Sequence, residues 1–132
     1  MRKTNLKNLL FIAVLSLTLT LIGCRTSPIY NVTEAPVPAS GKITAKDVKN
    51  AIYAAGAGLG WQMKEVEPGH IVASLFIRTH SAVVDIPYTA TSYSITYKDS
   101  TDLKYDGSNI HSNYNGWIQN LDHAIQARLS AM

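Results

Sequence analysis

Four histidines, at positions 70, 80, 111 and 123, are the first candidates for chemistry in the 132-residue chain. None stands at close metal-ligand spacing to another histidine or to the single cysteine, and zinc needs converging ligands, so no metal site is expected. His80, Ser81 and Asp85 contain the elements of a hydrolytic triad. No glycine-flanked elbow surrounds the serine, and on a strand Ser81 and Asp85 share a face that His80 does not. Asp85 is expected to pair with Arg78 or Lys64 instead. Asp99, Asp102 and Asp106 lack the alternating spacing of a calcium loop. No catalytic residue and no cofactor are expected.

Two surfaces remain. The first is a loop and helix start containing Tyr105, His111, Asn113, Tyr114 and Trp117. Aromatic faces and amides of this kind suit a sugar or a peptide, but they equally suit a cap and wedge for the last helix. The second is one side of a sheet carrying Val72, Phe76, Arg78, Val83 and Asp85. An apolar pair set among hydroxyls and charges there exceeds what a solvated face needs, and contiguous exposed apolar area often marks partner contact.

The elements that position these residues follow from period. Thr44 caps a helix with Asp47 in its first turn, and Val48, Ala51, Ile52, Ala55 and Leu59 recur at helical spacing. Gly56, Gly58 and Gly60 end it. Strict alternation then runs through "WQMKEV", "HIVASLFIRT", "SAVVDIPY" and "TSYSITYK", the sign of an antiparallel meander covered on one side. Pro68-Gly69 makes the first turn. A turn at Thr79-His80 pairs Leu75 with Val84 and sets Phe76 opposite Val83; a turn at Thr89-Ala90 pairs Ile86 with Tyr93. Residues 99–113 form a loop, and a helix from about Asn115 to Leu129 buries Ile118, Leu121, Ile125 and Leu129. The expected fold is α+β, a two-layer sandwich: helix, four-stranded antiparallel meander, helix, with both helices on one sheet face.

The lone cysteine gives an address. Arg2, Lys3 and Lys7 precede an apolar run from Leu9 to Ile22, the layout of a secretory signal and shorter than a comfortable membrane span. Leu21-Ile22-Gly23-Cys24 resembles a bacterial lipobox, in which the cysteine sulfur takes a diacylglycerol and cleavage precedes it. Acyl chains contribute about 0.8 kcal/mol per buried CH₂, so two or three hold firmly. The domains are therefore read as a signal peptide (1–23), a lipidated Cys24 with a flexible tether (24–42), and a periplasmic domain (43–132). Residues 25–42 hold three prolines and could reach roughly 60 Å at about 3.3 Å per residue. Arg25 and Thr26 carry no inner-membrane retention signal, so the outer membrane, facing the periplasm, is expected. Three of the twelve Lys/Arg precede Cys24, leaving nine against nine Asp/Glu. That balance excludes the basic surface a nucleic-acid binder needs.

From about Ile52 to Ile125 the chain also resembles a family of small uncharacterised proteobacterial lipoproteins. The resemblance is carried by Gly60-Trp61, Pro68-Gly69, Arg78 with His80, Ile86-Pro87-Tyr88, "YSITYKDS" from Tyr93 and "IHSNYNGWIQNL" from Ile110. It differs at Asp102, where the family more often has asparagine. It implies localisation and fold and no activity. The expectation is a membrane-anchored envelope protein that binds an envelope protein or itself; the alternative is a peptidoglycan or glycan/peptide-binding module.

Overall fold

The computed structural model describes residues 25–38 and 41–132. The expected signal peptide (1–23) and the expected lipidation site Cys24 lie outside the described residues. Element order is β1 (Thr26–Pro28), β2 (Val32–Pro36), α1 (Ala45–Gly58), β3 (Gln62–Glu67), β4 (His70–Ile77), β5 (His80–Pro87), β6 (Ser92–Thr101), β7 (Asn109–His111) and α2 (Ser112–Ser130). The fold is α+β. The antiparallel sheet has five strands in the order β2-β6-β5-β4-β3, and β1 pairs with β7 in a separate two-stranded sheet.

The extra strands β1 and β2 come from residues 26–36, read from sequence as tether, and β7 comes from the stretch 99–113, read as loop. Two prolines hide strand character in 26–36, yet Pro28 and Pro36 stand on edge strands, where a missing N–H costs no ladder bond. Val32 is buried opposite Ile95, and Ala35 and Pro36 face Tyr93 and Ser92. The partner strand β6, not local propensity, makes β2 a strand.

α1 starts as its sequence directs. Thr44 Oγ1 accepts the Asp47 N–H at 3.2 Å, and Asp47 Oδ2 accepts the Thr44 N–H at 2.9 Å. This reciprocal box holds the Asp47 carboxyl below its usual range, chiefly through the Thr44 backbone N–H. The helix stops where Trp61 N–H turns back to the Gly56 carbonyl at 2.9 Å and Gly60 takes φ +88°. Leu59 therefore falls beyond the helix and is exposed rather than part of its buried stripe.

The sheet register is shifted by two residues from expectation at both hairpins. Leu75 pairs with Ala82 and Ala73 with Val84 across a turn at Arg78-Thr79. Asp85 pairs with Thr96, and Tyr88 bridges to Tyr93. Arg78 takes φ +56°, which a sequence reader assigns to Gly or Asn. Because the slip is even, the strand residues away from the turn keep their expected faces, while Arg78 moves into the turn and Ile77 beside it is exposed. An irregularity between Val83 and Val84 then moves Asp99 opposite Val83.

One core results. Ile71, Ala73, Ala82, Val84, Ile86 and Ile95 meet Val48 and Ile52 of α1 and Ile118, Leu121, Ile125 and Leu129 of α2. α2 begins at Ser112, three residues earlier than expected, because His111 caps it: its Nδ1 accepts the Asn113 N–H at 3.2 Å. Among the described residues no helix is long and apolar enough to cross a membrane.

Candidate binding surface

The alternate residues of β4, β5 and β6 keep solvent exposure. Val72 sits opposite Asp85, Ser74 opposite Val83 and Phe76 opposite Ser81. Phe76 is 62% exposed, the most of any large apolar side chain described; Val83, diagonal to it, and Val72, farther along β4, are half-buried on the same face. Phe76 and Val83 are diagonal neighbours rather than facing, a separation of about 7–8 Å that a phenyl ring still bridges. Arg78 is not on this face; it occupies the turn beyond it.

Charge gathers at the other end of the same face. Asp85 Oδ1 lies 2.6 Å from His70 Nε2 and 3.6 Å from Lys98 Nζ, so its partners are these and not Arg78 or Lys64. Glu67 Oε1 is 3.6 Å from His70 Nδ1. These side chains rim a shallow groove with Pro87 and Thr96. His80 is remote from Asp85: its Nδ1 is 2.7 Å from the Asp102 carbonyl. The three elements of the apparent triad thus do not converge. Among the described residues no group of three or more His, Cys, Asp or Glu could hold a metal ion.

The loop and helix start is built as a wedge. Tyr114 is fully buried and edge-on to Tyr97 at 5.8 Å, and Tyr97 lies 4.0 Å from Tyr105, centroid to centroid. Of the aromatic residues in this set only Tyr105 is exposed, at 40%, and Asn113 is exposed beside the helix start. Trp117 is half-buried, His111 serves as the cap, and Asn113 points no side-chain bond into the protein. Sequence reading missed Tyr97, because its partners lie across a loop. Asn115 was also missed as a clamp: its Oδ1 accepts the Tyr30 N–H, and its Nδ2 donates to Ser27 Oγ and the Pro28 carbonyl, each at 2.9 Å. Asn115→Ala should cost about 2 kcal/mol, two to three net hydrogen bonds, and should raise amide exchange at Ser112, whose N–H holds the Arg25 carbonyl.

Two buried phenols set an alkaline limit. Burial pushes Tyr93 up, and so does the hydrogen bond from its hydroxyl to Asp122 Oδ1 at 2.6 Å; burial chiefly, with the neighbouring Tyr97 and Tyr105 hydroxyls, pushes Tyr114 up. A raised folded-state pKa means stability fully present below the ordinary value of about 10 and lost as pH rises above it. Absorbance titration should show two of the seven tyrosines ionising only as the fold is lost. The Tyr114 hydroxyl has no hydrogen-bond partner. Tyr114→Phe should therefore stabilise the domain by about 1 kcal/mol, read by denaturant unfolding; a loss of that size would mean the hydroxyl is bonded.

Both edges of the sheet are blunted. On β3, the Glu65 N–H donates to Tyr53 Oη at 2.6 Å, and an ion pair from Lys49 to Glu65 closes α1 over that strand. Beside β2, Glu34 has φ +46°, the register breaks between Val32 and Ala35, and Pro36 has no N–H to offer. An added strand therefore has few free backbone groups to pair with. No protein-family model matches the chain, and neither does any curated protein or solved structure.

Proposed function

We propose that this is an envelope lipoprotein, anchored through acyl chains on Cys24 in the outer membrane and facing the periplasm, that binds another envelope protein through the sheet face around Phe76. The reading takes both helices to lie on one side of the sheet, leaving the other free. The observation that carries it is the exposure of Phe76, a ring left in water diagonal to Val83, with Ser74 and Ser81 as its neighbours on the face. Blunted edges favour a face over strand addition as the docking mode. The proposed role is non-enzymatic.

The glycan-binding alternative loses ground because Tyr114 is buried and Tyr105 has one side against Tyr97. The test is affinity purification of the full-length protein from intact cells after chemical cross-linking. Recovery of one defined protein partner is expected. Recovery of none, together with retention of the domain on purified peptidoglycan, would overturn the reading in favour of glycan binding.

A further inference from the structure

The chain leaves no slack beside the anchor. Arg25 directly follows Cys24, and its carbonyl accepts the Ser112 N–H at 3.0 Å. Thr26, Ser27 and Pro28 pair with His111, Ile110 and Asn109, and Asn115 clamps the strand. The Arg25 backbone, to which residue 24 is bonded, is therefore held beside β7 and the first turn of α2. The β4–β5 turn is at this same end. The His111 and His80 rings are 6.4 Å apart, and His80 pairs with Ile77.

This end also holds much of the exposed apolar surface. Leu59 is 42% exposed, Tyr105 40% and Ile77 37%. Leu59 and Ile77 line a shallow depression with Trp117. Arg25, Arg78 and Lys104 are exposed around them. The acids present are already engaged: Asp102 accepts from Thr79 Oγ1 at 2.9 Å, and Asp106 accepts the Ser108 and Asn109 N–H groups. Aliphatic and tyrosine side chains ringed by Arg and Lys are the mixture found at the headgroup level of a bilayer.

We propose that this end is a membrane-contact surface, and that the lipid on Cys24 seats the domain directly on a phospholipid bilayer with Leu59, Ile77 and Tyr105 against the headgroups and the strands standing upright. The inference rests on acylation of Cys24. The anchor supplies the affinity, and the missing tether turns a weak surface contact into an intramolecular one at high effective concentration. The Thr89–Ser92 turn, at the opposite end of β5, is then held roughly 23 Å farther out, seven residues at about 3.3 Å each. The face around Phe76 works close to the membrane, not at the end of a 60 Å leash.

The experiment uses the full chain, processed in cells and reconstituted into phospholipid vesicles carrying a headgroup-attached acceptor dye. A donor is placed at Asn113→Cys or, separately, at Thr91→Cys. Intact mass of the mature protein reports the lipid. With the lipid present, the strand length between the sites should make energy transfer from position 113 at least about twofold stronger than from position 91. Equal transfer from both, with the lipid present, overturns the seated orientation and leaves the anchor standing. A mature chain without lipid mass removes the anchor, and the orientation with it.

Discussion

Phe76→Asp should abolish partner association while leaving the domain folded. The ring is 62% exposed and faces Ser81 across the β4–β5 ladder, so little of the core depends on it. Strand propensity disfavours aspartate by up to about 1 kcal/mol, which sets the upper limit of the stability loss. Binding is affected far more. Completing burial of a phenylalanine contributes about 1.5–3 kcal/mol, and a central aromatic anchor typically carries 2 kcal/mol or more. A carboxylate in its place must also shed water without a partner. Together these raise Kd by more than about a hundredfold, since each 1.4 kcal/mol is tenfold. The measurements are titration of the purified partner against both forms and a thermal melt of each. Unchanged affinity would remove this face from the account.

Leu121→Ala should have the opposite signature: a large loss of stability and no selective effect on binding. Leu121 is fully buried at the middle of the α2 stripe, within the same core as Ile52, Ile71 and Val84. Truncating a buried leucine costs about 2–5 kcal/mol through lost transfer energy and the cavity left behind. A domain of this size has roughly 5–15 kcal/mol in all. Each kcal/mol shifts Tm by about 4–8 °C for 60–100 residues, so a fall of some 15 °C is expected by circular dichroism. With no second cysteine in the chain, no intramolecular disulfide can offset the loss. A shift under about 3 °C would mean that α2 is not packed as described.

The contrast between Phe76 and Leu121 was readable in the sequence, because alternation on β4 and helical spacing on α2 separate inside from outside without knowledge of register. Register itself was not readable. Arg78 adopts a left-handed backbone at a turn that shows no Gly or Asn, so the turn falls one residue earlier than expected and each pairing partner shifts by two. The His70–Asp85 pair depends on that register and was invisible for the same reason. β1 and β2 were hidden because their residues become strands only by pairing with β7 and β6. Of the two roles open to Tyr114, the wedge is the one the structure shows: it is buried, edge-on to Tyr97, which stacks in turn on Tyr105.

The acid side of the stability profile follows from the same polar contacts. Backbone N–H groups of Asn109 and Ser108 hold the Asp106 carboxyl low, as Thr44 does for Asp47. Depressed carboxylates contribute stability that is present above their unfolded values near 4 and is lost as pH falls through the folded ones. As Asp106 takes up a proton, its hold on the Ser108 and Asn109 N–H groups in the turn that leads into β7 weakens.

The most direct measurement of the central claim is photo-cross-linking in living cells, with the probe at Phe76 and a control probe at Ala127, which is exposed on α2. The account predicts a discrete cross-linked protein from position 76 and none from position 127. Products of equal yield from both positions, or none from position 76, would contradict it.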